Sequence, residues 1–133
     1  MTFQYALAGA MPLPEAWRAA RQVLLLTTIG CRSGRLRTTV LPWFPHGDDL
    51  VVCGSNGGGP RDPQWTGNVR ADGRVWLRAN AGRQRAGDAH VADGEERDAV
   101  FAAIAPLHQG LERYQRLASR HGRDVPLVVI SPR

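Results

Sequence analysis

The chain has 133 residues, the length of one domain with one hydrophobic core. Its 43% hydrophobic and 22% charged residues are ordinary globular values, which exclude a disordered or fibrous protein. All 17 basic residues are arginine and 12 residues are acidic, so the formal net charge is +5. Clusters of arginine, rather than their total number, would indicate an anionic partner.

The first half of the chain predicts a short helix and three strands, followed by a helix that begins at a proline. The apolar runs between glycine and proline turns carry this prediction. The predicted elements are a helix at residues 15–22, strands at residues 23–29, 36–44 and 50–53, turns at residues 32–35 and 45–49, and a helix at residues 63–71 with Asp62 as its N-cap.

The second half predicts a further hairpin, two helices and a final strand. Alternating apolar residues indicate the hairpin, and apolar residues at helical spacing indicate the helices. These elements are strands at residues 74–78 and 83–91 around Gly82, a helix opening at residues 93–96 and carrying Val100, Phe101 and Ile104, a helix at residues 110–121, and a strand at residues 125–130.

The predicted fold is mainly β with α (α+β): about six antiparallel strands with three or four helices at the edges. Turn-like joins between the strands favour an antiparallel barrel or a strongly curled sheet over alternating βαβ units. No repeat, linker or low-complexity tract divides the chain, so we expect a single domain over residues 1–133, with residues 1–22 as an N-terminal extension or helix.

The cysteines and histidines indicate no metal site. Cys31 and Cys53 do not form a Cys-x-x-Cys pair, and the four histidines never lie at i, i+4 spacing. We interpret the cysteines as reduced thiols and expect a cytoplasmic protein. No apolar run is long enough to span a bilayer, and the N-terminus lacks a signal-peptide pattern, so we expect no integral membrane insertion.

Residues 30–39, which we call the arginine hairpin, combine three arginines with two glycines and three hydroxyl side chains. Arginine presents a rigid charged fork that matches phosphate or carboxylate oxygens, and glycine lets the backbone approach a ligand. Arg37 is the sharpest candidate because it lies inside the predicted strand, whereas Arg35 is the one expected to be plain surface. The same oxygens could accept hydrogen bonds from Ser33, Thr38 and Thr39. The alternative is a solvated basic turn.

Residues 55–61, which we call the glycine loop, contain three consecutive glycines before the predicted helix at residue 63. A helix N-terminus aimed at such a loop favours bound phosphate. The spacing matches neither a P-loop nor the dinucleotide Gly-x-Gly-x-x-Gly pattern. The alternative is a flexible loop. No catalytic triad or close carboxylate pair stands out, so a cofactor would supply the reactivity of an enzyme.

Both segments resemble the deazaflavin (F420)-dependent nitroreductase and quinone reductase family. The resemblance covers residues 20–133 in order, and it is carried by residues 24–38, 55–58, 60–65, 68, 114–115 and 126–129. It implies a split β-barrel that binds coenzyme F420, a deazaflavin with a phosphate and an oligoglutamate tail. The reduced form, F420H2, would deliver a hydride to a quinone, a nitroaromatic compound or a related electron-poor acceptor such as an enone.

The resemblance also implies which residues bind the cofactor. Arg32, Ser33 and Arg37 match positions that hold the phosphate or the tail, and residues 55–58 with Trp65 match positions that line the deazaflavin. The full predicted set is Arg32, Ser33, Arg35, Arg37, Thr38, Thr39, Ser55, Asn56, Gly57, Gly58, Arg61, Trp65 and Asn68. Cys31 stands where the family is often basic, and Asn56 stands where the nitroimidazole-reducing member has lysine.

The acceptor side departs further from the family pattern. The nitroimidazole-reducing member has three tyrosines at three-residue spacing, and this chain has His108, Leu111 and Tyr114 at these positions. We hypothesise that His108 or Tyr114 donates the proton that completes reduction, since neutral histidine and tyrosine can both donate near pH 7.

Three alternatives to an F420-dependent reductase stay open at this point. The first is a related split barrel that binds FMN, and the second is a carrier that binds the deazaflavin without catalysis. The third is nucleic-acid binding, which predicts aromatic residues and arginines on one face. The four tryptophans fall on different predicted elements, so we expect no nucleic-acid partner. A homodimer is plausible because open barrels with exposed edges often pair.

Overall fold

The computed structural model describes residues 23–79 and 82–133, and the helix predicted at residues 15–22 lies outside them. In chain order the elements are strands β1 (Val23–Ile29), β2 (Leu36–Pro42), β3 (Phe44–His46) and β4 (Asp49–Cys53), a 3₁₀ turn (Asn56–Gly58), helix α1 (Gln64–Ala71), strands β5 (Arg74–Ala79) and β6 (Arg85–Val91), helices α2 (Gly94–Ile104) and α3 (Leu111–Ser119), and strand β7 (Leu127–Pro132).

The strands form one antiparallel sheet in the order β2-β1-β5-β6-β7-β4-β3. Strand β2 also contacts β4, which lies near the other end of this order, so the sheet curls towards closure. The predicted curled antiparallel sheet with flanking helices is confirmed. The described residues hold seven strands and three α-helices, where about six strands and three or four helices were expected.

Apolar side chains are buried on both faces of the sheet. One cluster contains Leu26, Val52 and Val128 together with Trp65 of α1, and a second cluster packs β4 and β7 against α2 and α3. Successive residues of a strand point to opposite faces, so a strand between two clusters is apolar without alternation. The run Leu127–Val128–Val129–Ile130 is buried throughout for this reason.

The second predicted strand, at residues 36–44, is wrong in one respect. The chain leaves the ladder at Pro42, which is opposite Val23, and resumes as β3, which pairs with β4 instead. Proline has no N–H with which to continue a ladder, and Pro45 is tolerated in β3 because that strand lies at the edge of the sheet. The predicted turn at residues 45–49 is accordingly shortened to Gly47 and Asp48.

The predicted cap of α1 is also wrong. Pro63 occupies the N-cap position and makes no side-chain capping bond, and the helix begins at Gln64. The carboxylate of Asp62 instead forms ion pairs with Arg70 at 3.2 Å and with Arg123 at 2.8 Å. Two guanidinium groups therefore occupy the oxygens that would have capped the helix.

The final strand begins two residues later than predicted. Pro126 lies before β7, and its carbonyl accepts a hydrogen bond from the Gly54 N–H at 2.8 Å. This bond continues the pairing of β4 with β7, in which Val51 lies opposite Val129. The last strand thus holds the start of the segment that leads into the glycine loop.

Candidate active site

The arginine hairpin is a tight connection between β1 and β2. The Gly30 N–H donates to the Arg35 carbonyl at 2.7 Å, and the Gly34 N–H donates to the Gly30 carbonyl at 2.8 Å. A Cβ atom at Gly30 would lie 2.8 Å from the Ser33 hydroxyl oxygen and 3.0 Å from the Arg35 carbonyl oxygen, so a larger residue here would crowd the turn. The predicted turn at residues 32–35 is confirmed, and its Ser33 hydroxyl accepts a hydrogen bond from the Arg35 N–H at 3.1 Å.

The three guanidinium groups of the hairpin are exposed. None of Arg32, Arg35 and Arg37 forms an ion pair with a carboxylate among residues 23–79 and 82–133, whereas Arg70 and Arg123 do. Three exposed guanidinium groups that pair with no carboxylate among the described residues make this hairpin a suitable binding surface for an anion.

The predicted hydroxyl ligands do not all lie together. Arg37 lies opposite Thr28, and Thr38 lies opposite Thr27, so Arg37 and Thr38 project from opposite faces of the sheet. Thr39 shares the face of Arg37 and is half-buried. The Thr38 hydroxyl hydrogen-bonds that of Thr27 at 2.8 Å, beside a cavity of about 470 Å³ lined also by Leu25, Arg78, Gly82, Arg83 and Gln84.

Asn68 joins α1 to the arginine hairpin. Its side-chain oxygen accepts the Cys31 N–H at 2.9 Å, and its amide nitrogen donates to the Thr28 hydroxyl at 3.0 Å. Trp65, one turn earlier, is 8% exposed and packs in the core. The contact of either side chain with a cofactor stays a prediction, and of the two it is Asn68 that bonds backbone of the arginine hairpin.

The glycine loop contains a turn whose first N–H groups donate to no acceptor among the described residues. Ser55 is in the right-handed helical region with φ −67° and ψ −37°, and Asn56 and Gly57 follow with φ 44° and 65°. A right-handed residue followed by a left-handed one makes successive N–H groups converge on a concavity that suits an anion. Among the described residues no acceptor bonds the N–H groups of Ser55, Asn56 and Gly57.

The carbonyl side of the same loop converges on Arg123. Its guanidinium donates to the carbonyls of Gly59 and Ser55, each at 2.7 Å, and to that of Gly54 at 3.3 Å. It also pairs with Asp62 at 2.8 Å, and its side chain is 11% exposed. Arg123 could not be predicted from the sequence, because its partners lie 61 to 69 residues earlier in the chain and no local pattern marks it.

Two further contacts, from the Asn56 side chain and from Gly58, fix the rest of the loop. The Asn56 side chain donates to the Arg61 carbonyl at 2.9 Å, and the Arg61 side chain is exposed. Gly58 packs directly on α3, where an added Cβ would lie 2.6 Å from Cβ of Leu117 and 3.1 Å from the Tyr114 carbonyl oxygen. The predicted cofactor loop therefore lies against the helix that carries the predicted proton donor.

The two predicted catalytic residues lie near each other at the start of α3. The ring centroids of His108 and Tyr114 are 6.2 Å apart in an edge arrangement, and the imidazole of His108 stacks on Phe44 at 4.7 Å. Tyr114 is half-buried, and Gly110, with φ 93°, turns the chain between them. The two residues, which are six positions apart in the sequence, thus have their rings close together in the structure.

The state of His108 follows from its surroundings. Burial lowers the pKa of His108 from 6.5, and a hydrogen bond with the Gln109 carbonyl opposes this effect, so the imidazole is neutral at pH 7. Since a carbonyl can only accept, Nδ1 carries the hydrogen in this 3.0 Å bond. Nε2 of the neutral ring then has no hydrogen to donate, which leaves the Tyr114 hydroxyl as the better placed acid of the two.

Three further observations concern the Cys53 thiol, the possible metal ligands and the helices of the described residues. Burial raises the pKa of the Cys53 thiol to about 12, although Arg97 acts in the opposite direction, so this thiol stays protonated at neutral pH. The structure as described holds no group of three His, Cys, Asp or Glu side chains placed to bind a metal ion. Of the described helices, none is both long and apolar enough to cross a membrane.

The chain matches the F420H(2)-dependent quinone reductase family over residues 6–132. An F420H(2)-dependent quinone reductase of Mycobacterium tuberculosis (strain ATCC 25618 / H37Rv) is 32% identical over 112 residues, which cover 83% of this chain and 73% of the relative. A protein of Mycobacterium bovis, named a putative F420H(2)-dependent quinone reductase, matches with the same identity and coverage.

Solved structures give the same result for the fold. A structure described as an F420-H2 dependent reductase (FDR-A) has a TM-score of 0.69 and 25% identity, covering 81% of this chain and 92% of that one. The haem storage protein HutZ from Vibrio cholerae, at 15% identity and a TM-score of 0.61, covers 88% of this chain and 85% of its own and shares the fold alone. The chain therefore belongs to the F420H(2)-dependent quinone reductase family, a family of oxidoreductases, and has its split-barrel fold.

Proposed function

We propose that this chain binds coenzyme F420 and passes a hydride from its reduced form to a quinone. Family membership carries the proposal. The structure supports it with a turn at Ser55–Gly57 whose N–H groups have no acceptor among the described residues, packed through Gly58 against the helix that bears Tyr114. A cofactor loop in contact with a proton-donating helix is what reduction of a bound acceptor requires.

The residues present fit this cofactor. Its tail carries a phosphate and several carboxylates, and the exposed arginine hairpin presents three guanidinium groups that pair with no described carboxylate. The N–H groups of Ser55, Asn56 and Gly57 would face the polar edge of the deazaflavin. Arg37 and Thr39 would act from one face of β2, with Arg32, Ser33 and Arg35 at the tip of the hairpin.

When bound, the reduced deazaflavin supplies the hydride. The chain's own residues would hold that ring against the glycine loop and supply the proton at the Tyr114 hydroxyl. Since His108 and Leu111 replace two tyrosines of the nitroimidazole-reducing member, the acceptor pocket differs from that protein's. We therefore propose a quinone rather than a nitro compound as the acceptor.

Cofactor titration tests the proposal against its alternatives. Purified protein is titrated with F420 and separately with FMN while cofactor fluorescence is followed. We expect saturable quenching with F420, and tight binding of FMN alone would contradict the proposal. Oxidation of F420H2 is then followed with and without menadione, a simple quinone, and with a nitroimidazole at equal concentration. Binding of F420 without quinone-dependent oxidation would favour a carrier.

We further propose a homodimer in the cytoplasm that does not bind nucleic acid. In the described part of the sheet, β2 and β3 are the end strands and each pairs along one side only, which leaves an edge available to a second copy. One related structure, at 24% identity and a TM-score of 0.70, is described as a domain-swapped dimer. Light scattering after size-exclusion chromatography tests whether the protein is a dimer. Cell fractionation tests its location. A gel-shift assay over a range of salt concentrations tests whether it binds nucleic acid.

A further inference from the structure

We propose that Arg123 is a positioning residue that aims the N–H groups of Ser55 and Asn56 at the bound cofactor. The inference rests on the proposed function, because it takes the glycine loop as part of the F420 site. Arg123 itself does not face that concavity: its guanidinium contacts the opposite, carbonyl side of the loop. It would act through the peptide groups that it holds.

Every nitrogen of the Arg123 guanidinium donates a hydrogen bond. Nε donates to the Gly59 carbonyl, Nη2 donates to the Ser55 carbonyl, and Nη1 is shared between the Gly54 carbonyl and the Asp62 carboxylate. The described structure therefore uses all three nitrogens of one side chain on one loop. Lysine could not reproduce this pattern, because its ammonium is a single point on a flexible stem.

Because the peptide group is planar, fixing the direction of a carbonyl also fixes the direction of the N–H in the same peptide. No cis peptide bond occurs among the described residues, so each N–H points opposite to the carbonyl of the preceding residue. Holding the Gly54 carbonyl against Arg123 directs the Ser55 N–H away from it. Holding the Ser55 carbonyl directs the Asn56 N–H away in the same manner. These are two of the three N–H groups of the proposed anion-binding turn.

The charge of Arg123 adds to this effect. A carbonyl that accepts a charged donor is polarised, which strengthens the N–H of the same peptide as a donor. The Ser55 carbonyl accepts from the Gly58 N–H as well as from Arg123, each at 2.7 Å, so both of its lone pairs are engaged. Asp62 balances the buried charge at 2.8 Å. The loop can thus be polarised without an unpaired cation behind it.

Three variants test the proposal on the full chain. Arg123→Met removes the donors and keeps much of the aliphatic volume, and Arg123→Lys keeps the charge but not the fork. Arg97→Met is the matched control: Arg97 is also half-buried and bonds a carbonyl and a side-chain oxygen, but on Val125 and Gln115. For each variant we measure the F420 dissociation constant by fluorescence quenching, the melting temperature, and the amide ¹H–¹⁵N signals of the unliganded protein.

We expect Arg123→Met to weaken F420 binding about tenfold or more, Arg123→Lys to weaken it by an intermediate factor, and Arg97→Met to change it less than about twofold. The amide signals of Ser55 and Asn56 should move in Arg123→Met without cofactor and stay in place in Arg97→Met. If Arg123→Met does not fold, the Arg123→Lys measurements decide.

Wild-type affinity in Arg123→Lys, or equal losses in Arg123→Met and Arg97→Met, would overturn the positioning role. So would unmoved amide signals of Ser55 and Asn56 in either Arg123 variant. Absence of F420 binding in the wild-type chain is a different outcome, because it would overturn the proposed function of the loop and with it the inference.

Discussion

The side-chain amide of Asn68 donates a hydrogen bond to the hydroxyl of Thr28 at 3.0 Å, and both residues are buried, at 6% and 0% exposure. The same side chain accepts the Cys31 N–H at 2.9 Å. Helix α1 is thereby fixed to the C-terminal end of β1, where the arginine hairpin begins. These two hydrogen bonds explain why the polar side chain of Asn68 is buried, without reference to any ligand.

Replacing Asn68 by alanine should destabilise the protein and loosen the hairpin. The substitution leaves the buried Thr28 hydroxyl and the Cys31 N–H without this partner, and an unsatisfied buried group costs about 1–3 kcal/mol. Urea unfolding measures the loss. Thr28→Val and the double variant complete a cycle, in which the double variant should lose less than the sum of the two single losses. Strict additivity would show that the two side chains are not coupled.

Alanine at Gly58 should be more harmful than alanine at Gly57. Both residues have positive φ, of 75° and 65°, so both substitutions share the cost of about 1–2 kcal/mol of placing a Cβ in the left-handed region. Only at Gly58 would the new Cβ meet a neighbour, at 2.6 Å from Cβ of Leu117, whereas no atom lies within 4 Å at Gly57. We expect Gly58→Ala to cost about 1–3 kcal/mol more than Gly57→Ala.

Urea midpoints of the two glycine variants give this difference directly. Gly122→Ala serves as a second control because it has φ 73°, lies outside the loop and meets no atom within 4 Å. Equal midpoints for all three variants would mean that the loop moves away from α3 without cost.

Removal of the Tyr114 hydroxyl should slow the reaction without weakening cofactor binding. Acid catalysis by a positioned side chain contributes about 100-fold or more, so Tyr114→Phe should lower kcat with menadione by about that factor. His108→Gln should lower kcat less, because Nδ1 of neutral His108 already donates to the Gln109 carbonyl. Steady-state rates and F420 titrations give the two quantities separately. Unchanged turnover in both variants would remove the proton-donor assignment.

Stability should fall between neutral and mildly acidic pH because of His108. Burial lowers the pKa of His108 in the folded chain below its usual 6.5, so the unfolded chain takes up the proton first. The contribution is therefore fully present above pH 6.5 and is lost as the pH drops through and below that value. Urea unfolding at pH 7.5 and 5.5 tests the sign.

His108→Phe is the matched variant for the pH experiment, since phenylalanine keeps a ring against Phe44 and cannot titrate. The stability difference between the two pH values should shrink in it. Asp72, whose pKa is lowered to about 2 by its hydrogen bonds from Arg74, belongs to a lower window, because its contribution is lost only as the pH falls below its usual value of 3.8. A difference that is as large in His108→Phe as in the wild type would assign the effect elsewhere.

Local sequence patterns predicted those features of the fold that depend on neighbouring residues. Glycine and arginine between two apolar runs predicted the β1–β2 hairpin, and alternation at Val75 and Leu77, both buried, predicted β5. The break between β2 and β3 escaped prediction because residues 36–44 form one largely apolar run, in which Pro42 alone does not show that the chain goes on to pair with β4. Tertiary pairing here overrides a continuous strand pattern.

For the candidate site, too, the sequence predicts local segments but not the long-range contacts that shape them. Resemblance and composition predict the two segments that would bind the cofactor. The contacts that shape these segments are distant in sequence: Asn68 with Cys31, and Arg123 with Ser55. Asp62 illustrates the difficulty, since its sequence context predicts a helix cap and its spatial context supplies two guanidinium groups. Only the folded chain decides between such competing partners for one carboxylate.

The pairing of β4 with β7 has a consequence for biosynthesis. Val51 pairs with Val129, and the loop after β4 is held by Arg123, so the start of the glycine loop depends on residues that are synthesised more than 60 residues later. While a ribosome still shelters the C-terminal end in its exit tunnel, the nascent protein would lack this support. The loop would thus reach its folded geometry only once Arg123 and β7 have left the exit tunnel.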